Sequence, residues 1–327
     1  MREELGIIPT MDEDFNSRPQ ASLVRIDDNH AGQRIDNFLM TRLKGVPKSH
    51  VYRILRTGQV RLNGGRIPAG RRLVAGDVVR MPPLRTGLHE HAVLPLAEGF
   101  RRRLESSILL EDSEILVINK PARIAVHGGS GLALGIIEGL RRARGEEKFL
   151  ELVHRLDRDT SGCLVIAKKR SALRCLHQQF RENQVGKEYL ALLDGHWKET
   201  SRTIAVALEK NVLQSGERLV KASDQGKAAV TRFRRRHSYR EWTLVEAEPE
   251  TGRTHQIRVH AQCLGYPIAG DERYGSPERL REAHRIGLRR LFLHASRVSF
   301  AHPATGQRLS LEAPLDPELQ QFLTALR

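Results

Sequence analysis

The chain has 327 residues, 39% of them hydrophobic, which is enough to bury a core in at least one domain and long enough for two. Lys and Arg number 54 against 39 Asp and Glu, and this formal charge of +15 predicts a polyanionic partner bound in a salt-sensitive way. No apolar run approaches the roughly 20 residues of a membrane-spanning helix, so nucleic acid is the expected partner and membrane is not.

Residues 1–22 are a polar mixture with Asp12, Glu13 and Asp14 close together, and read as a disordered tail. Leu23, Val24 and Ile26 suggest a short strand. Ile35, Phe38, Leu39 and Leu43 then fall on one helical face that ends before Gly45 and Pro47. A second helix is expected with Ser49 as N-cap, Val51, Ile54 and Leu55 facing inward, and Gly58 past its C-terminus. Val60 and Leu62 lead into Asn63-Gly64, a hairpin turn signal, and Leu73 to Val79 add at least one more strand. The outward positions here are heavily basic with almost no acid to neutralise them. They predict a phosphate-tracking surface in which Arg34, Lys48, Arg53, Arg56 and Arg61 are the candidate RNA-binding residues. From Gln33 to Met81 the pattern, with its Arg-rich second helix and V-R-L-N-G-G hairpin, resembles the small RNA-binding domain of S-four type. The expected domain spans 23–81, followed by a linker over 82–108 and a second domain over 109–327.

The second domain begins with an apolar strand, Glu114 to Asn119, ending in Lys120-Pro121. A Gly-rich loop from His127 to Gly131 follows, but it lacks the spacing of a phosphate-binding or dinucleotide loop, so neither ATP nor NAD is expected. Two apolar runs, Phe149 to Val153 and Cys163 to Ala167, bracket the polar loop His154-Arg-Leu-Asp-Arg-Asp-Thr-Ser-Gly162, with Thr160, Ser161 and Gly162 shaping the turn. A carboxylate in such a loop is held by strands and open to ligand, which makes Asp157 a candidate. Leu173, Leu176, His177 and Phe180 mark a helix with Ser171 as its cap, and Lys187 to Leu193 a strand. Leu208 to Arg236 reads as basic and turn-rich, and Thr243 to Ala247 as a strand. Arg253 to Leu264 closes in a helix stopped by Gly265, and strands are expected at Leu291 to His294 and Val298 to Phe300.

Several chemistries find no support. His255 and His260 lack metal-site spacing, and no G-x-S-x-G elbow accompanies a serine. Asp157 and Asp159 form the one pair tempting for a glycosidase, yet one loop does not by itself aim both at a sugar. Cys163, Cys175 and Cys263 form no C-x-x-C, so three buried, reduced thiols in a cytoplasmic protein are expected.

His154 to Gly162 matches the H-R-L-D-x-x-T-S-G signature of the RluA-type family of RNA pseudouridine synthases. Lys187-x-Tyr189, Gly252-Arg-Thr-His-Gln-Ile-Arg258 and Gly270-Asp-Glu-Arg-Tyr-Gly275 match the segments that follow it in that family. The resemblance implies an α+β fold with a mixed, largely antiparallel sheet flanked by helices. It also implies a cofactor-free isomerase acting on uridines of large-subunit ribosomal RNA, free or in an assembling particle, as a monomer; transfer RNA is the alternative substrate and a non-catalytic RNA-binding or ribosome-assembly role the rival. By the same resemblance Asp157 is the catalytic carboxylate, Arg258 pairs with it, and Tyr189 lies against the uracil. His154, Arg155, Arg158, Thr160, His255 and Gln256 are the expected substrate-binding residues. One departure stands out: Arg123 occupies a position that is usually Gly, where a positive φ would strain it.

Overall fold

The computed structural model describes residues 21–27, 30–43, 46–83, 97–128, 134–145, 149–212 and 218–326. The expected tail, except its last two residues, and part of the Gly-rich loop lie outside them. The chain divides into two compact units, residues 1–95 and 96–327.

The first unit contains β1 (Ser22–Arg25), α1 (Ile35–Arg42), α2 (Lys48–Arg56), β2 (Arg61–Leu62) and β3 (Val78–Met81). The strands form one antiparallel sheet in the order β1-β3-β2. Ile35, Phe38 and Leu39 of α1 meet Val51, Ile54 and Leu55 of α2 over Val79, so the helical periodicity alone builds this core. Ser49 is not the cap of α2. Pro47 holds that position, its ring fixing φ at −57°, and the helix starts a residue before Ser49. Asn63 and Gly64 both take positive φ, 49° and 82°, as the two-residue turn requires. That turn closes only onto Gly65, however, and β2 finds its strand partner in β3.

The second unit contains α3 (Glu98–Glu105), β4 (Ile108–Glu111), β5 (Ile115–Lys120), α4 (Ile136–Ala143), β6 (Glu151–Leu152), β7 (Ser161–Ala167), α5 (Arg170–Arg181) and β8 (Gly186–Asp194). It continues with β9 (Ser201–Ala205), β10 (Leu208–Val212), β11 (Arg218–Ala222), β12 (Val230–Ser238), β13 (Trp242–Pro249) and α6 (Gln256–Cys263). It ends with α7 (Pro277–Ile286), β14 (Leu293–Ala301), β15 (Arg308–Glu312) and α8 (Pro317–Ala325). The main sheet runs β4-β5-β7-β14-β8-β13-β12-β9, with β15 beside β14 and β6 beside β7. It is mixed and largely antiparallel: β14 and β7 pair in parallel.

Alternate residues of the central strands feed two cores. Leu116, Ile118, Leu164 and Ile166 face Leu104 of α3 and Ile136 and Leu140 of α4, while Ile115, Val117, Val165 and Ala167 face Ala172 and Leu176 of α5. Both faces are covered, which explains why β7 is apolar throughout where a half-exposed strand would alternate. A third core joins Trp242, Phe233, Leu192, Leu319 and Phe322.

Five expectations need correction. Residues 98–105, expected as linker, are helix α3, held by Leu104 against α4. Within Leu208 to Arg236, expected as turn-rich, the described residues supply the strands β10, β11 and most of β12. Its arginines find carboxylates on the neighbouring strand, as Arg234 and Arg236 do with Glu246. The two strands expected after Leu291 are one, β14, bulged between His294 and Arg297 so that it passes from β7 to β15. Lys169, not Ser171, is the N-cap of α5, because the helix begins as soon as the chain leaves β7. Of the cysteines Cys163 alone is buried, whereas Cys263 in the last turn of α6 is exposed; all three are free. Among the described residues no helix is long and apolar enough to cross a membrane.

Candidate active site

A cleft of about 470 Å³ opens where the 154–160 loop, the start of β8 and the N-terminus of α6 converge. Its lining includes Asp157, Thr160, Tyr189, Thr254, His255 and Arg258, so the fold brings together the three separated motifs. Asp157 is held within its loop, where the Asp157 carbonyl accepts from Thr160 N–H at 3.2 Å. Its carboxylate Oδ2 lies 3.7 Å from His255 Nε2 and 3.9 Å from Arg258 Nη1.

Arg258 does not use its strongest contacts on Asp157. Its Nε and Nη2 donate to Asp271 Oδ2 and Oδ1, each at 2.7 Å, in a pair that is 6% and 2% exposed. The expected Arg258–Asp157 pair is therefore a longer second contact, because one fork of the guanidinium is spent on Asp271. Burial opposes the charge on Arg258, but Asp271 outweighs it and holds the guanidinium above its ordinary pKa. Tyr189 shifts the same way for a different reason: burial, reinforced by the Asp157 charge, pushes the phenol upward and keeps it protonated at neutral pH.

The remaining expected residues separate into two groups. Thr160 and His255 line the cleft, and Arg155 is exposed at its wall. His154 also lines it, but its ring is committed: Nε2 accepts from Val165 N–H at 3.0 Å, the ring stacks on Phe180 at 5.1 Å, and burial drives its pKa down to about 4. Gln256 touches the cleft but has no hydrogen bond to spare for a ligand. Its Oε1 accepts from Thr251 Oγ1 and Arg253 N–H, and its Nε2 donates to Val230 O and Thr231 Oγ1. It locks α6 to β12. Arg158 is not among the residues lining the cleft, and its Nε lies 3.3 Å from Asp159 Oδ1.

In the N-terminal unit Lys48, Arg53 and Arg56 are exposed on α2. Arg61 donates to Gly58 O at 2.9 Å. Arg34 is not an unneutralised cation: it forks onto buried Asp36, which Tyr52 also contacts and whose carboxyl Arg34 holds below the ordinary value.

A model of the RNA pseudouridylate synthase family matches residues 114–263, and an S4 domain model matches 33–79. Ribosomal large subunit pseudouridine synthase C of Escherichia coli (strain K12) is 55% identical over 313 residues, covering 94% of this chain and 98% of that protein. The protein of the same description from Pasteurella multocida (strain Pm70) is 54% identical over 93% of this chain and 94% of its own length. The chain belongs to the RNA pseudouridylate synthase family. It is an RNA pseudouridine synthase preceded by an S4 RNA-binding domain. Among solved structures, human RNA pseudouridylate synthase domain containing 4 superposes with a TM-score of 0.58 at 28% identity, covering 70% of this chain and 95% of that one.

Three supports of the synthase site were not assigned from sequence. Lys120 is 0% exposed, and its Nζ donates to Pro121 O, Ile124 O and Arg158 O at 2.8 to 3.1 Å, tying the turn after β5 to the Asp157 loop. Burial, with the Arg290 charge next, pulls its pKa down to about 7. Arg290 anchors the far end of the loop: it pairs with Asp316, and its Nη2 donates to Ser161 Oγ at 2.8 Å and Asp159 O at 3.3 Å. Ser161 belongs to β7 rather than to the turn, as does Gly162, where a Cβ would stand 2.2 Å from Ala295 O. Tyr274 forms the third support. Its hydroxyl accepts from Val220 N–H at 3.1 Å and lies 2.8 Å from His255 Nδ1. The other ring nitrogen, Nε2, faces Asp157, and burial favours the neutral imidazole. Asp271 and Tyr274 stood in a quoted motif, but nothing local links a carboxylate to an arginine 13 residues earlier.

Arg123 adopts φ of 67°, the conformation for which glycine is the strain-free choice. Its guanidinium donates to Arg289 O at 2.6 Å and lies 3.7 Å from Glu318, contacts that hold the strained turn in place.

Proposed function

We propose that this synthase isomerises uridines in large-subunit ribosomal RNA, with Asp157 as the catalytic carboxylate acting at the ribose of a flipped-out nucleotide. The convergence of Asp157, Tyr189 and Arg258 on one cleft carries this reading; the names of the relatives supply the RNA class. In the reaction the N1–C1′ bond breaks and a C5–C1′ bond forms, C5 loses a proton and N1 gains one, so the composition of the base is unchanged. Asp157 acts at C1′ as nucleophile or at C2′ as base, and either route needs an ionised carboxylate. Arg258 Nη1 and His255 Nε2 flank that carboxylate at 3.9 and 3.7 Å. Tyr189, held protonated, forms a wall against the uracil and a proton donor rather than a tyrosinate base. Extruding the base costs a few kcal/mol, offset by stacking and by backbone contacts. The basic S4 unit supplies affinity for the RNA backbone.

The test uses large-subunit ribosomal RNA tritiated at uracil C5, with transfer RNA as the comparison substrate. Tritium release from ribosomal RNA is expected for the wild-type protein and at least about 1,000-fold less for Asp157→Ala. Absence of release by the wild type overturns the proposed reaction on that RNA. Equal release by both proteins removes Asp157 from the mechanism, and release from transfer RNA alone reassigns the substrate.

A further inference from the structure

The cleft is larger than its reactive corner. Besides the residues around Asp157 it is lined by Arg155, His177, Phe180, Arg181, Asn183 and Lys187, which the reaction chemistry does not use. His177 and Arg181 are four residues apart near the end of α5 and so share a helical face. Lys187 and Tyr189 are two residues apart on β8 and share a strand face, about 7 Å from each other along the chain. Among all the cleft-lining residues Asp157 is the one carboxylate. None of Arg155, Arg181 and Lys187 has an ion-pair partner among the described residues. Arg258 in the same cleft is neutralised by Asp271, so these three cations, together with Arg253, whose Nε donates to Ala228 O, carry the cleft's uncompensated charge.

Lys187 is the informative member. It is half-buried, and burial alone lowers its pKa, with no compensating carboxylate. An ammonium desolvated without a counterion is a cost in the free protein that a docking anion removes. Lys187 stands one same-face step along β8, about 7 Å, from the residue proposed to lie against the uracil.

We propose that Lys187, with Arg181 and Arg155, forms a phosphodiester subsite that holds the RNA backbone beside the flipped uridine. This rests on the uridine reading of the Asp157 corner. The ligand is a backbone phosphate of a single strand, so the subsite sets affinity and register without reading sequence.

The test compares binding of a labelled single-stranded oligouridylate to the full chain across a salt series, in an Asp157→Ala background that prevents turnover. Lys187→Met is expected to weaken binding about 3- to 10-fold and to reduce the slope of log K against log salt by about 0.7, the loss of one phosphate contact. Lys187→Arg should restore the slope. Oligonucleotides in which each phosphate in turn is replaced by a neutral methylphosphonate should contain one position that abolishes the difference between the two proteins. In the Asp157-intact enzyme the loss should fall mainly on KM. An unchanged slope, a difference that persists at every methylphosphonate position, or a loss confined to kcat would overturn the subsite. If Lys187→Met fails to fold, Arg181→Ala and Arg155→Ala carry the same expectation, and unchanged slopes in both overturn it. Because binding is read without turnover, a wild-type protein that releases no tritium defeats the uridine reading while the salt slope still decides the subsite.

Discussion

In the S4 unit Arg56 leaves helix α2 into solvent, whereas in the catalytic unit Arg258 is 6% exposed and forked onto Asp271. The difference lies in what surrounds the guanidinium. On α2 the neighbours are solvent and other cations, so the charge remains available to a polyanion and acts over a Debye length. In the catalytic unit the guanidinium of Arg258 is bonded before any ligand arrives, so it contributes position more than net charge. The same holds for Arg290 with Asp316 and Ser161, and for Arg236 with Glu246. Arg34 crosses the divide: it sits in the S4 unit but is held by buried Asp36.

Arg258→Lys tests the contrast most severely. It keeps the charge and loses the fork, and tritium release should fall about 100-fold or more, with the loss in kcat. Retained activity would mean that charge alone matters at this position. Asp271→Asn leaves a buried guanidinium without its counterion, and denaturant titration should register a stability loss of about 3–5 kcal/mol. The acid limb of stability comes next. His154 is held neutral down to about pH 4 but protonates near 6.5 when unfolded, so its contribution is complete above pH 6.5 and is lost as pH falls toward 4. Melting curves across that window should show a loss on the order of 2 kcal/mol from this group, absent in His154→Gln.

Smaller effects belong to the exposed set. Arg53→Ala and Arg56→Ala should each weaken RNA binding about 3-fold and reduce the salt slope by about 0.7–0.9 with no change in melting temperature, and Arg34→Ala should do less to binding and more to stability. A melting loss in Arg56→Ala equal to that in Asp271→Asn would end the distinction between the two kinds of arginine. Last, Arg123→Gly removes a left-handed penalty of about 1 kcal/mol and also the bond to Arg289 O, so stability should change by less than about 1 kcal/mol.

Elements with one apolar face were legible in advance: α1 and α2 appear where periodicity puts them, because a surface element buries one face and its pattern survives in the chain. The region from Leu208 to Arg236 was not legible. Its strands β10 to β12 carry charges whose partners, such as Glu246, arrive from another strand, and cross-strand neutralisation leaves no local trace. Helix α3 was hidden for another reason: it is a strongly charged segment with one fully buried apolar anchor, Leu104, whose place against α4 comes from the fold. At the site, Asp157, Tyr189 and Arg258 were readable as members of motifs, and Thr160, His255 and Gln256 line the cleft with them while Arg158 does not. That the Gln256 amide is bonded entirely within the protein was not legible, because a motif holds residues that fix the backbone as well as residues that face a ligand.

Sequence alone determined the two-domain order, the basic character and the family, since these reside in composition and in motifs short enough to be continuous. Tertiary structure decided which charges are spent and which are free. Lys120 on the Arg158 carbonyl, Asp271 on Arg258 and Tyr274 on His255 are fixed by neighbours distant in the chain, and Lys187 stands out only because the fold desolvates it without giving it a partner. An ionisable group takes its chemistry from the dielectric and the charges within a few ångströms, and those are properties of the packed molecule rather than of the adjacent residues.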